Sequence, residues 1–142
     1  QNISMKHSLE KAYRLARYVV YYQQQEMLIS VGKSCHWLDY LMKTNNYKQA
    51  AFITAYNPQS QLMDELTNIQ NQGKLEAIIQ AKNYYYLSGY SSDQQGNWPQ
   101  EQSLLIFSLS QKNAVKIATT FKQTAFLWIE FGFPVKLIEL VE

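Results

Sequence analysis

Side chains that carry chemistry are sparse in this chain, and the informative ones are neutral. Asp and Glu number 11 and His 2 in 142 residues, and none falls in the spacing of a carboxylate pair, a metal site or a nucleophile with its base. Six residues stand out instead: Thr54, Tyr56, Asn57, Asn68, Trp98 and Gln123. They are polar or costly to expose, and they fall at the ends of expected elements or off the periodic apolar faces. Amides donate and accept at once without a desolvated charge, so a cluster of them suits a neutral polar ligand or pins a loop to a sheet. Glu101 is the one candidate general base. It follows the loop Gly96-Asn97-Trp98-Pro99 and precedes an apolar run, which puts it at a cleft edge or, in the plainer reading, in solvent.

Each of the six also has a structural reading. Asn57 precedes Pro58, whose ring keeps it out of the right-handed helical region. Its amide therefore caps the next helix, closes an Asx turn, or faces a ligand. Asn68 lies mid-helix, where Asn is a poor former, and either meets solvent or points toward the strand end at Asn57. Trp98 folds back on the core or lids a pocket. Gln123 satisfies a helix-end carbonyl or reaches the same pocket. Cys35 and His36 are adjacent, and neighbours on a helix point roughly 100° apart, so they do not share a proton. Cys35 is the only cysteine, which leaves no intrachain disulfide and no cysteine zinc site. We expect a free thiol without a catalytic partner. No metal is expected, because the two histidines come with no carboxylate constellation, and no cofactor either, because the glycines form no phosphate-cradling loop. The absence of a G-x-S-x-G elbow removes the α/β-hydrolase reading.

What must position these residues is a single domain over 1–142. A hydrophobic fraction of 46% with 14% aromatics is enough to offset ordering entropy. The net charge of +2 comes with scattered Lys and Arg, so neither a nucleic-acid stripe nor a membrane face is expected. The longest apolar runs are too short to span a bilayer. One cysteine, and no basic region followed by an apolar run in Gln1–Lys6, point to the cytoplasm.

Along the chain, Leu9, Ala12, Tyr13 and Ala16 predict an opening helix over Ser8–Leu15. Tyr18–Tyr22 and Met27–Val31 flank a glutamine run and read as a hairpin. Ser34 is set to cap a helix carrying Trp37, Leu38, Leu41 and Met42. The Phe52–Tyr56 strand comes next, then a long helix from Ser60 with Leu62, Leu66, Ile69 and Gly73 on its buried face and a kink at Gly73. Tyr84–Tyr90 and Leu104–Leu109 are strands around the 91–100 loop, and Ser110 caps a helix with Ala114, Ile117, Ala118 and Phe121 inward. Strands Ala125–Glu130 and Val135–Val141 close the chain. From Phe52 to Glu130 the order is β-α-β-β-α-β, the split ferredoxin-like pattern. The fold class is α+β: a mixed sheet with helices packed on it, Phe52–Tyr56 and Leu104–Leu109 central.

Ala51-Phe52-Ile53-Thr54-Ala55-Tyr56-Asn57-Pro58 is a buried strand that ends by delivering polar side chains. With Tyr13–Tyr18, Ile29-Ser30-Val31-Gly32, Asn68, Gly89, Trp98-Pro99 and Phe121–Ala125, it resembles a bacterial family called domain of unknown function 3293. That family's pattern favours Trp at the place of Tyr56 and acids after the loop Trp, which Glu101 meets in part. The resemblance implies a bacterial source and supports the choice of residues; it implies no reaction.

Two functional readings are open. In the first, Asn57, Asn68, Trp98, Glu101 and Gln123 converge at one end of the sheet on a small polar molecule, with catalysis through Glu101 as its extension. In the second, the chain is a protein-interaction or regulatory module that uses a Tyr-rich edge such as Tyr18–Tyr22, homo-oligomerisation being its simplest form. A deep pocket favours the first, and a flat apolar face or an open edge favours the second.

Overall fold

Continuous apolar runs demand cover on both sides, and two of them take the middle of the sheet. The computed structural model describes residues 2–140, with the side chains of 7–140. Helix α1 (Asn2–Leu15) leads into the hairpin β1 (Arg17–Tyr22) and β2 (Gln25–Ile29), then α2 (His36–Asn45). The sequence continues with β3 (Gln49–Thr54), a single 3-10 turn (Pro58–Ser60), α3 (Glu65–Ala81), β4 (Tyr86–Ser92), β5 (Glu101–Phe107), α4 (Gln111–Thr120), β6 (Ala125–Glu130) and β7 (Lys136–Glu139). The seven strands form one sheet in the order β2-β1-β4-β5-β3-β6-β7. Strands β3 and β5 are interior, as expected. Val141, placed by the sequence in the last strand, lies outside the described residues. No helix among the described residues is long and apolar enough to cross a membrane.

Every ladder is antiparallel, which corrects the expected mixed sheet. Strands β3 and β4 run in the same direction, but β5 lies between them and pairs with both. The only parallel pairing among the described residues is an isolated bridge, Val31 to Val135. That bridge joins the two outer strands at one end, so the sheet is curled. Helix α2 spans the gap: Trp37 Nε1 donates to Leu28 O in β2, and Gly132 N, just before β7, donates to Asp39 Oδ1. Tyr18–Tyr22 is therefore not an edge. It is β1, flanked by β2 and β4.

The two faces have separate cores. On one, α3 and α4 set Leu75, Ile79, Ala114 and Ile117 against Ile53, Ile106 and Trp128. On the other, α2 sets Leu38, Leu41 and Met42 against Ala50, Phe107 and Ile129. Ser110 caps α4 as read, its Oγ accepting from Asn113 N.

Three local expectations are corrected. Cys35, not Ser34, is the N-cap of α2. Helix α3 starts at Glu65 behind an Asp64 cap rather than at Ser60, because Asn57, Gln59 and Ser60 all take left-handed backbone angles that no helix tolerates. Helix α3 also runs unbroken through Gly73 and turns its apolar stripe outward. Leu66 and Ile69 are 65% and 49% exposed, and Leu62 ahead of the helix is exposed too, while Asn68 and Gln72 are buried with Leu75 and Ile79.

Candidate functional site

That inversion of α3 has a cause in β3. Strand β3 ends at Thr54, yet Ala55, Tyr56 and Asn57 stay buried, and their N–H groups have no strand to pair with. A buried unpaired N–H costs about 1–3 kcal/mol. Three side chains supply acceptors in succession. Gln72 Oε1 accepts from Ala55 N at 3.0 Å, Thr54 Oγ1 from Tyr56 N at 3.0 Å, and Asn68 Oδ1 from Asn57 N at 2.8 Å. The amides of α3 thus continue the ladder past the strand end, which outweighs burial of Leu66 and Ile69.

Asn57 is the hub of the hydrogen bonds beyond the strand end. Its φ of 48° is left-handed, a conformation Asn tolerates better than most residues. Its Oδ1 accepts from Asn68 Nδ2 at 2.9 Å and Met63 N at 2.9 Å, and its Nδ2 donates to Glu101 Oε2 at 2.7 Å. It caps nothing: the side chain makes no cap bond to the 3-10 turn. The strained turn is tied down by Gln59 N donating to Lys122 O and by a hydroxyl chain of Ser60, Thr124 and Tyr13, with 2.7 and 2.6 Å links. Gln123 Nε2 donates to Tyr56 O at 3.0 Å and Phe121 O at 3.2 Å.

Across the sheet face under α1 and α2, the cross-strand rows change character in steps. Phe107, Ala50 and Ile129 form one row; Leu87, Leu105, Phe52 and Leu127 the next. Then come Val20, Gly89, Ser103 and Thr54, and finally Tyr18, Ser91 and Glu101. Thr54 and Ser103 of the third row, Tyr18, Ser91 and Glu101 of the last, and Phe52 and Leu127 of the second line a cavity of about 340 Å³ beneath Ala12 and Tyr13 of α1 and the adjoining Ala16. That is the small end of the range for ligand cavities, which runs from ~300 to ~1,000 Å³. Gly89 is required here: a Cβ would lie 2.2 Å from Val19 O and 3.2 Å from the Phe52 ring. Tyr18 meets Phe52 edge to face at 5.6 Å, and its hydroxyl donates to Tyr13 O, tying α1 to the sheet.

Glu101 stands at the mouth. Its Oε2 accepts from both Asn57 Nδ2 and Trp98 Nε1, the latter at 2.9 Å. Its Oε1 accepts from no described residue, and the ion pairs among the described residues, Arg14–Glu10 and Lys136–Glu130, leave it out. Burial pushes the Tyr18 phenol well above its ordinary value, with the nearby Tyr13 and Glu101 adding to the shift. Tyr56 is raised for the same first reason, then by Glu65, which accepts from its hydroxyl at 3.4 Å, and by Glu101. The arrangement can hold a polar group at Glu101 Oε1 over an aromatic and serine-lined floor.

The family model described as protein of unknown function (DUF3293) matches residues 53–126. The chain belongs to this family. Its match runs from β3 into β6, so it takes in all seven residues singled out from the sequence but neither α1 nor β1. Neither the search of curated proteins nor that of solved structures returned a match.

Within the family segment, Thr54, Tyr56, Asn57, Trp98, Glu101 and Gln123 line the cavity. Asn68 sits behind it, 2% exposed, and holds Asn57. Sequence reasoning missed Ser91, Asp93 and Ser103 within the segment, and Tyr13 and Tyr18 outside it. A signal existed for one of them: Glu101, Ser103, Leu105 and Phe107 alternate in a strand and must share a face.

Cys35 lies apart from the cavity. Its half-buried thiol donates to Leu28 O at 3.5 Å, and burial raises its pKa against hydrogen bonds from Leu38 and Trp37 that lower it.

Proposed function

We propose that the cavity between α1 and the sheet binds a small polar molecule whose polar end meets Glu101. One observation carries this reading. Glu101 is held by Asn57 and Trp98 through a single oxygen, Oε2, at 2.7 and 2.9 Å, while its other oxygen is uncommitted beside a cavity of about 340 Å³. A carboxylate fixed on one side and free on the other is preorganised for a partner. In a reaction at this site, Oε1 is the group able to take a proton from the ligand.

The test is a screen of small polar compounds against the full chain, with hits then measured on Glu101→Ala. Hits should bind the native protein and lose at least tenfold in affinity on the folded variant, whose melting temperature falls because Asn57 Nδ2 and Trp98 Nε1 lose their acceptor. Hits that bind the variant equally well contradict the reading.

A further inference from the structure

Resting on the cavity reading above, we propose that this site selects an organic cation, a protonated or quaternary amine held between Glu101 and the surrounding aromatic rings. The first support is the charge of the lining. Two carboxylates, Glu101 and Asp93, face the cavity, and no Lys, Arg or His among the described residues lines it. The chain as a whole carries 13 Lys and Arg against 11 Asp and Glu, so the cavity runs against the overall balance.

The second support is the wall material. Tyr13, Tyr18, Phe52, Tyr56 and Trp98 all line the cavity. Aromatic faces attract a cation within about 6 Å through the ring quadrupole, most strongly where water is displaced. Neutral polar ligands gain nothing comparable from such rings, and an anion is repelled by both faces and carboxylates.

The third support is incomplete pairing. Glu101 Oε1 has no described partner, and Asp93 Oδ1 is buried without one while Asp93 Oδ2 accepts from Asn97 N at 3.0 Å. A carboxylate oxygen without a donor is costly; an ammonium N–H can reach the open Glu101 Oε1, whereas the buried Asp93 Oδ1 is offset by the cation's charge alone.

The experiment uses two matched probe sets on the full chain by calorimetry: choline, dimethylbutanol and dimethylbutanoate; and phenethylamine, phenylethanol and phenylacetate. Within each set the shape is kept and the charge runs from positive to neutral to negative. The cation should bind about tenfold more tightly than its neutral isostere, and the anion should not bind. Glu101→Gln should erase that preference and leave the neutral isostere unchanged; Asp93→Asn should reduce it. Equal binding of cation and neutral isostere, preference for an anion, or a cation preference untouched by both variants would overturn cation selection while leaving the cavity as a site. If no probe of any charge binds, both proposals fall.

Discussion

One face of the sheet is packed solid at one end and hollow at the other, although the same strands build both. Under α2, the rows of Ala50, Phe107 and Ile129 pack against Leu38, Leu41 and Met42, every one of them buried. Under α1, the rows turn to Ser91, Ser103 and Thr54 beneath Ala12 and the adjoining Ala16, with a cavity between them. Small residues on both sides of an interface leave volume unfilled, and interiors otherwise pack to crystal density. The difference teaches that strand alternation places side chains on a face without saying whether that face is filled. The covering helix decides, through the size of what it presents.

The sharpest way to break this comparison is a cavity made in the solid half. Leu41→Ala should cost about 3 kcal/mol in chemical denaturation, because Leu41 is only 2% exposed and its neighbours cannot collapse onto the gap. A loss under about 1 kcal/mol would mean that the α2 half is loosely packed after all.

Asn68→Ala is next, at about 2 kcal/mol. It strips the acceptor from the buried Asn57 N–H, which is left unpaired away from water, and one of the two donors from Asn57 Oδ1, which keeps Met63 N. Glu101→Gln, by contrast, should change stability by no more than about 0.5 kcal/mol, since the amide oxygen still accepts from Asn57 and Trp98. A large loss there would make Glu101 a structural tie and the hollow half an ordinary core margin.

The smallest effect concerns reactivity alone. Cys35 packs at the margin of the solid half and burial raises its pKa, so the thiol stays protonated as pH rises through the ordinary thiol range and ionises only above it. Alkylation should be slower than for a free cysteine at neutral pH and should accelerate only in more alkaline buffer. Rapid labelling at neutral pH would show that the hydrogen bonds from Leu38 and Trp37 outweigh burial.

Much of this was legible in the sequence because it rests on local signals. Continuous apolar runs marked β3 and β5 as interior, and Ser110 with its stripe marked α4. The buried side of α3 was not legible. Counting apolar residues selects Leu62, Leu66 and Ile69, whereas the fold selects Asn68 and Gln72 to satisfy Ala55 and Asn57 N–H groups eleven or more positions away. That demand is tertiary, and no periodicity displays it. The residues around Glu101 stood out by their place at element ends, but the hollow itself did not. It depends on where α1 lies over the sheet, and Tyr13, Tyr18 and Asp93 enter only through that placement.

The central claim, a ligand site at Glu101, has a built-in reporter. The chain has 3 tryptophans, and their indole N–H groups sit in three different places. Trp98 donates to Glu101, Trp37 donates to Leu28 O beside α2, and Trp128 is buried on the opposite face without a partner. Titrating a screened ligand while recording the three indole resonances, assigned with Trp98→Phe, reads all three regions at once. The account predicts that the Trp98 signal moves to saturation while Trp37 and Trp128 stay fixed. Movement of Trp37 or Trp128 with Trp98 unchanged would contradict it.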